Sequence, residues 1–251
     1  MSRFLKDTKK YYKYAIYSAK SKLQSEVASS YLNWLWWVLD PICFMLIYTL
    51  IFGVVFNAKE QYFTVFIFIG LTMWDFFNKT LQQSVKIVKN NKSIVAKVYL
   101  PKYILVMVRM FVNGFKMLIC FAIVVGMLVF FRVPVDAHIL YVIPILITVV
   151  LFTFGCCCIL LHLGVFIEDM SNVINIALRL VFYLTGIFYN IRSFPEPYQS
   201  LILRGNPLAL LITGLRDCVL YKSTPDMPWL GIWFLISLAL SVFGIWNIYK
   251  N

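Results

Sequence analysis

Long apolar runs separated by short basic segments set the pattern of this chain. Six runs approach the roughly 20 residues that a helix needs to cross a ~30 Å hydrocarbon layer. They are residues 38–56, 63–81, 103–131, 139–167, 173–189 and 229–248. The pattern predicts an all-α integral membrane protein with six transmembrane helices. At ~1.5 Å per residue the third and fourth runs exceed the layer, so they should tilt or project from it. Residues 185–220, TGIFYNIRSFPEPYQSLILRGNPLALLITGLRDCVL, are apolar enough to be embedded, yet Pro195, Pro197, Gly205 and Pro207 break them. Two short re-entrant half-helices with a proline-rich turn fit better than a plain loop. Non-helical backbone at membrane depth is tolerated only inside protein or beside a wet cavity, so the segment argues for a path through the protein.

The polar segments are equally patterned. Residues 1–33 carry seven Lys/Arg, while Tyr12, Ile16, Ala19, Leu23, Val27 and Tyr31 recur at helical spacing. That is a basic amphipathic helix of the membrane interface, ending in Trp34, Trp36 and Trp37 at the headgroup level. Residues 86–102, KIVKNNKSIVAKVYLPK, hold five lysines and a separate apolar stripe; Pro101 ends any helix there. Two readings fit this stretch: a helix lying on anionic headgroups, or a docking helix for a cytoplasmic partner's groove. Basic segments mark the cytoplasmic side, and an even number of spans places both termini there. The chain thus divides into an interface helix, 1–33, and a transmembrane domain, 34–251. No internal repeat suggests a transporter made of duplicated halves.

Composition sharpens this picture. Of 251 residues 61% are hydrophobic and only 14% charged, against about 45–50% and about 25% in soluble domains. The net charge of +12 falls between apolar runs instead of in one patch, which favours membrane topology over nucleic acid. Cys43, Cys120, Cys156, Cys157 and Cys158 lie inside apolar runs and Cys218 stands apart, so no disulfide or zinc spacing emerges. No cleavable leader is expected before the first run.

Candidate chemistry is sparse. Asp40, Asp75, Lys79, Arg109, Lys116, His162, Glu168, Asp169 and Arg179 are the ionisable groups at membrane depth. Most lie within two turns of a run's end, where snorkelling or a local ion pair accounts for them. No nucleophile stands with a base, no metal pair forms, and no GxxxxGK[ST] motif occurs. No catalysis or metal is expected of this chain, and energy for active transport would come from a partner. Aromatics make up 18%, which suits interface belts and also a sugar path, where ring faces pack on pyranose C–H faces.

Several stretches together resemble the permease subunits of ABC-2 exporters for O-antigen-type polysaccharides and teichoic acids. They are SSYLNWLWWVLDP (29–41), GLTMWDFF (70–77), VAKVYLPK (95–102) and NPLALLITGLRDCVL (206–220), in family order over nearly the whole chain. Asn33 replaces a family glycine, and VFIEDMSNV (165–173) has Glu168 where an arginine is usual. The resemblance implies a homodimer in the bacterial plasma membrane, with two cytoplasmic ATPase subunits docked on coupling helices at about 86–100. ATP and Mg would bind in those partners, none in this chain. It further implies a lipid-pyrophosphate-linked glycan or glycerol/ribitol-phosphate polymer as cargo. On this reading Ile94, Val95, Lys97, Val98 and Tyr99 couple to the ATPase, and Tyr31, Trp34 and Trp37 flank the substrate path. Phe188, Tyr189, Phe194, Tyr198, Leu201 and Leu203, with Arg216 and Asp217, form an outer gate. A lipid or drug exporter of the same superfamily, or a membrane enzyme acting on lipid-linked glycans, are the alternatives. Scattered His/Asp/Glu residues argue against the enzyme, and short outer loops favour the polymer.

Overall fold

The computed structural model describes residues 2–250 apart from 29, 30, 57, 59, 98, 135 and 168. Val98 and Glu168 therefore lie outside the described residues, as does the side chain of Ile94 within its helix. Among the described residues every regular element is helical. The long elements are α1 (Ser2–Ala28), α2 (Trp36–Tyr48, continued by π-helical turns over Thr49–Val55) and α3 (Phe63–Val85). Two short helices follow, α4 (Ile87–Asn90) and α5 (Lys92–Lys97), then α6 (Lys102–Phe130) and α7 (Val142–Phe166). The chain closes with α8 (Met170–Leu184), α9 (Tyr198–Gly205), α10 (Pro207–Val219) and α11 (Met227–Lys250).

Four helical stretches among the described residues are long and apolar enough to cross a membrane: Trp36–Val55, Lys102–Phe130, Ala137–Phe166 and Met227–Lys250. The protein is a multi-pass membrane protein. α3 has 23 residues, but Asp75, Asn78, Lys79, Gln82 and Gln83 dilute its second half. Its position explains how it carries them. It is the central helix, packed by α2, α6, α7, α8 and α10, and Val65 to Gly70 are all buried. A helix shielded by neighbours does not need the hydropathy that lipid demands. α8, with 15 residues, is shorter than the expected run, because Gly186 at φ +69 turns the chain and buries Ile187 and Phe188.

Close packing is achieved with small residues, as is usual where helices meet in lipid. α7 and α11 touch along Gly155, Ser241 and Gly244: a Cβ on Gly155 would lie 2.9 Å from the Ser241 nitrogen, and one on Gly244 2.7 Å from Cys158 Cβ. The Ser241 hydroxyl donates to the Leu151 carbonyl at 3.0 Å, so the approach also satisfies a polar group.

The segment 86–100 is not one helix. Asn91 separates α4 from α5, its side-chain amide donating to the Ile87 carbonyl at 2.7 Å and its backbone N–H to the Val88 carbonyl. Asparagine's competition for backbone groups favours such a stop. Residues 185–220 hold two short helices, α9 and α10, which meet at Asn206; the Pro195–Pro197 turn precedes both. Asn206 caps α10, its Oδ1 accepting from the N–H groups of Leu208 (3.1 Å) and Ala209 (3.4 Å), with Pro207 at the first helical position.

Candidate functional site

A charged cleft opens between α2, α3 and α6, beside the end of α1. Its volume is about 380 Å³, and its walls include Glu26, Trp36, Trp37, Asp40, Asp75, Lys79, Asn113 and Lys116. Lys79 Nζ lies 2.7 Å from Asp75 Oδ2, one helical turn away, and Lys116 Nζ 2.6 Å from Glu26 Oε2, which joins α6 to α1. Lys116 also stands 5.7 Å from the centroid of Trp37, itself edge-on to Phe115 at 6.0 Å. Asn113 is 3% exposed. Its amide nitrogen donates to Thr80 Oγ1 and Gln83 Oε1, while its buried Oδ1 has no partner among the described residues.

The cleft continues along α2 into a second cavity of about 250 Å³, reaching Phe44, Tyr48, Trp74 and Phe182. Here one face of α2 reads Trp36, Asp40, Phe44, Tyr48, Phe52, Phe56, a repeat of four. Successive rings from Phe44 to Phe56 stand 6.3, 6.4 and 5.6 Å apart. In an α-helix a row at i+4 slants around the axis; the wider π turns at Thr49–Val55 counter the drift. Such turns recur at functional sites. Phe188 closes the ladder, stacked on Phe52 at 4.5 Å and 4.8 Å from Tyr48.

The expected path residues are only partly gathered here. Trp37 lines the cleft, as does Trp36, which was read from sequence only as a headgroup anchor. Trp34 is exposed and Tyr31 fully so, both outside it. The residues missed as a set are Glu26, Asp40, Asp75, Lys79 and Lys116. Four of them appeared in the sequence only as isolated ionisable groups near run ends.

The expected gate residues separate into three groups. Phe188 belongs to the aromatic ladder; Tyr189 and Phe194 stack on each other at 5.1 Å; Tyr198 and Leu201 project from α9, both exposed, with Leu203 half-buried on the same helix. Arg216 and Asp217, adjacent in sequence, face different partners. Arg216 is buried and donates from Nε to the Phe66 carbonyl (3.0 Å), from Nη1 to Gly186 (2.7 Å) and from Nη2 to Ile187 (2.9 Å), over the ring of Phe66. A Cβ on Gly70 would lie 2.5 Å from Nη2, so glycine there makes room for the guanidinium. Asp217 instead accepts from Arg192 Nη2 at 2.5 Å. The pair therefore ties the turn after α8 to α3 and α10.

At the basic end of the bundle, Val95 is half-buried and packs on the core, while Lys97 and Tyr99 are exposed. The Tyr99 carbonyl accepts from Tyr11 of α1 at 3.0 Å. No group of three or more His, Cys, Asp or Glu among the described residues is placed to hold a metal.

Comparison with known proteins gives consistent results. The family model described as "ABC-2 type transporter" matches residues 17–220. Two proteins of Klebsiella pneumoniae, each named "O-antigen export system permease protein RfbA", are 29% and 26% identical over 224 residues, 89% of this chain and 86% of theirs. A protein of that name from Myxococcus xanthus is 26% identical over 249 residues, 98% of this chain and 94% of its own.

Proposed function

Because the chain belongs to the ABC-2 type transporter family, a family of membrane transport subunits, we propose that it is the permease of a polysaccharide exporter. The observation that carries this reading is the match, over most of both chains, to permeases named for O-antigen export. The aromatic-lined cleft along α2 supports it, since ring faces suit sugars and the charged floor suits a hydrophilic cargo.

In this proposal α3 and α8 join the four long apolar helices as spans, making six, and the chain works as a homodimer in the bacterial inner membrane. Both termini and the basic stretch 86–102 face the cytoplasm, as the positive-inside rule directs. A separate ATP-binding subunit docks on α4 and α5 of each copy and supplies the energy; ATP and Mg act there. The cargo is a lipid-pyrophosphate-linked polymer that reaches the cleft past Trp36 and Trp37 and leaves between the α9–α10 half-helices. Deleting the gene is expected to strand finished lipid-linked polymer inside the cell while synthesis continues. Polymer reaching the surface at the normal level in the deletion strain would overturn the proposal.

A further inference from the structure

We propose that the cleft accepts an uncharged glycan and rejects a polyanionic polymer such as a glycerol-phosphate chain; this deepens the export reading above and rests on it. Five charged side chains line the cleft, three acids (Glu26, Asp40, Asp75) and two bases (Lys79, Lys116). Both bases are engaged: Lys79 Nζ is 2.7 Å from Asp75 and Lys116 Nζ 2.6 Å from Glu26. Asp40 is left exposed on α2 with no ion pair among the described residues, and Lys79, the cation that feels its field, is already bonded to Asp75.

Two cations near the cleft serve a different acid. Lys22 and Arg109 interact with Glu26 at the α1 end of the cleft. From Trp36 to Val55, α2 carries no Lys or Arg at all, and its cleft face beyond Asp40 is Phe44, Tyr48, Phe52 and Phe56. A polymer with a phosphate on each repeat would carry a negative charge past the Asp40 carboxylate at every step, where the pyrophosphate-linked glycan proposed above does so once, and this stretch of α2 offers no cation in compensation. Like charges repel strongly where water is displaced, and acidic side chains in channels exclude anions by this means. A neutral pyranose has what the walls ask for: hydroxyls that donate to the Asp40 carboxylate, and C–H faces for Trp37 and Phe44. Discrimination of this kind comes from the repulsive element as much as from the attractive one.

The test uses the permease with its bound ATPase subunit in lipid nanodiscs, titrated with two soluble probes of equal length, a mannose oligosaccharide and a glycerol-phosphate oligomer. Calorimetry at low salt should show the mannose probe binding at least about tenfold more tightly, with the gap narrowing as salt screens Asp40. Asp40→Asn should narrow the ratio and Asp40→Lys should invert it. Equal binding of the two probes, or a ratio that neither substitution changes, overturns the selectivity and leaves the cleft as the path. Absence of binding by both probes, in a complex that still hydrolyses ATP, overturns the path assignment and the selectivity with it.

Discussion

A guanidinium enclosed on every side needs compensation, because an uncompensated buried charge is strongly destabilising. Arg216 obtains it by donating from each of its three nitrogens, to the carbonyls of Phe66, Gly186 and Ile187. Arg216→Met should lower stability by about 3 kcal/mol, since it leaves those carbonyls unpaired. Arg216→Lys should recover only part of the loss, because an ammonium cannot fork across three acceptors. Thermal unfolding in detergent reads both; wild-type melting of the methionine variant would remove Arg216 from its structural role. Lys22 on α1 presents the opposite case, a cation held in place at a cost. Burial, then repulsion from Arg109, lowers its pKa from 10.5 to about 8, with Glu26 opposing. Between those two values the unfolded chain keeps a proton that the folded one has lost. The penalty is therefore full below pH 8 and fades as pH rises toward 10.5. Lys22→Met should stabilise the fold at pH 7 by about 1 kcal/mol after solvent screening, and should flatten the alkaline rise in melting temperature. A variant that keeps the wild-type alkaline rise would assign that rise to another group.

At the scale of elements, α1 is attached at both ends to parts that matter. Tyr11 donates to the Tyr99 carbonyl just after α5, and Glu26, about 22 Å further along at ~1.5 Å per residue, pairs with Lys116 in the cleft. Between them Ala15 and Ala19 are buried, and α1 packs along α6. A continuous helix fixed so is suited to carry motion from the stretch proposed to dock the ATPase to the cleft. Tyr11→Phe combined with Glu26→Gln should leave ATP hydrolysis largely intact and cut polymer exported per ATP severalfold. An unchanged ratio would make α1 a plain anchor. This attachment was not legible in the sequence, where Glu26 and Lys116 are 90 residues apart and each reads as an ordinary charge near a membrane surface. What was legible follows from physics that acts locally. Apolar run length located the long helices to within a few residues, and Pro195, Pro197, Gly205 and Pro207 marked 185–220 as broken. Local chemistry also explains two differences: Asn91 stops α4 inside the basic stretch, and Gly186 ends the fifth run early. The repeat Trp36, Asp40, Phe44, Tyr48, Phe52, Phe56 was present in the sequence all along. It was hidden because α2 is apolar on every side, so no contrast in hydropathy marked the face that mattered.

At the scale of the whole molecule, the cleft poses a problem that one chain does not solve. α2 buries only Met45 among its described residues, the others being half-buried or exposed, and α8 buries Met170 and Leu178. The cavity between α2, α3 and α8 has Asp40 on its wall, and a carboxylate facing hydrocarbon is costly. A second copy related by a twofold axis would close that side, set the two clefts face to face and bring the exposed tips of α9 together. As the proposed outer gate, those tips must also seal at rest, because each elementary charge leaking inward falls through ~2.3 kcal/mol per 100 mV. Tyr198, 62% exposed on α9, tests both ideas at once. In a Cys43→Ser background, which removes the exposed native thiol of α2, Tyr198→Cys should form a disulfide between copies under mild oxidation. Export should stop when it forms and return on addition of reductant. Failure to cross-link would mean that the α9 tips do not meet at the axis. Complete cross-linking with export undiminished would mean that they meet but never part, and that the polymer leaves by another route.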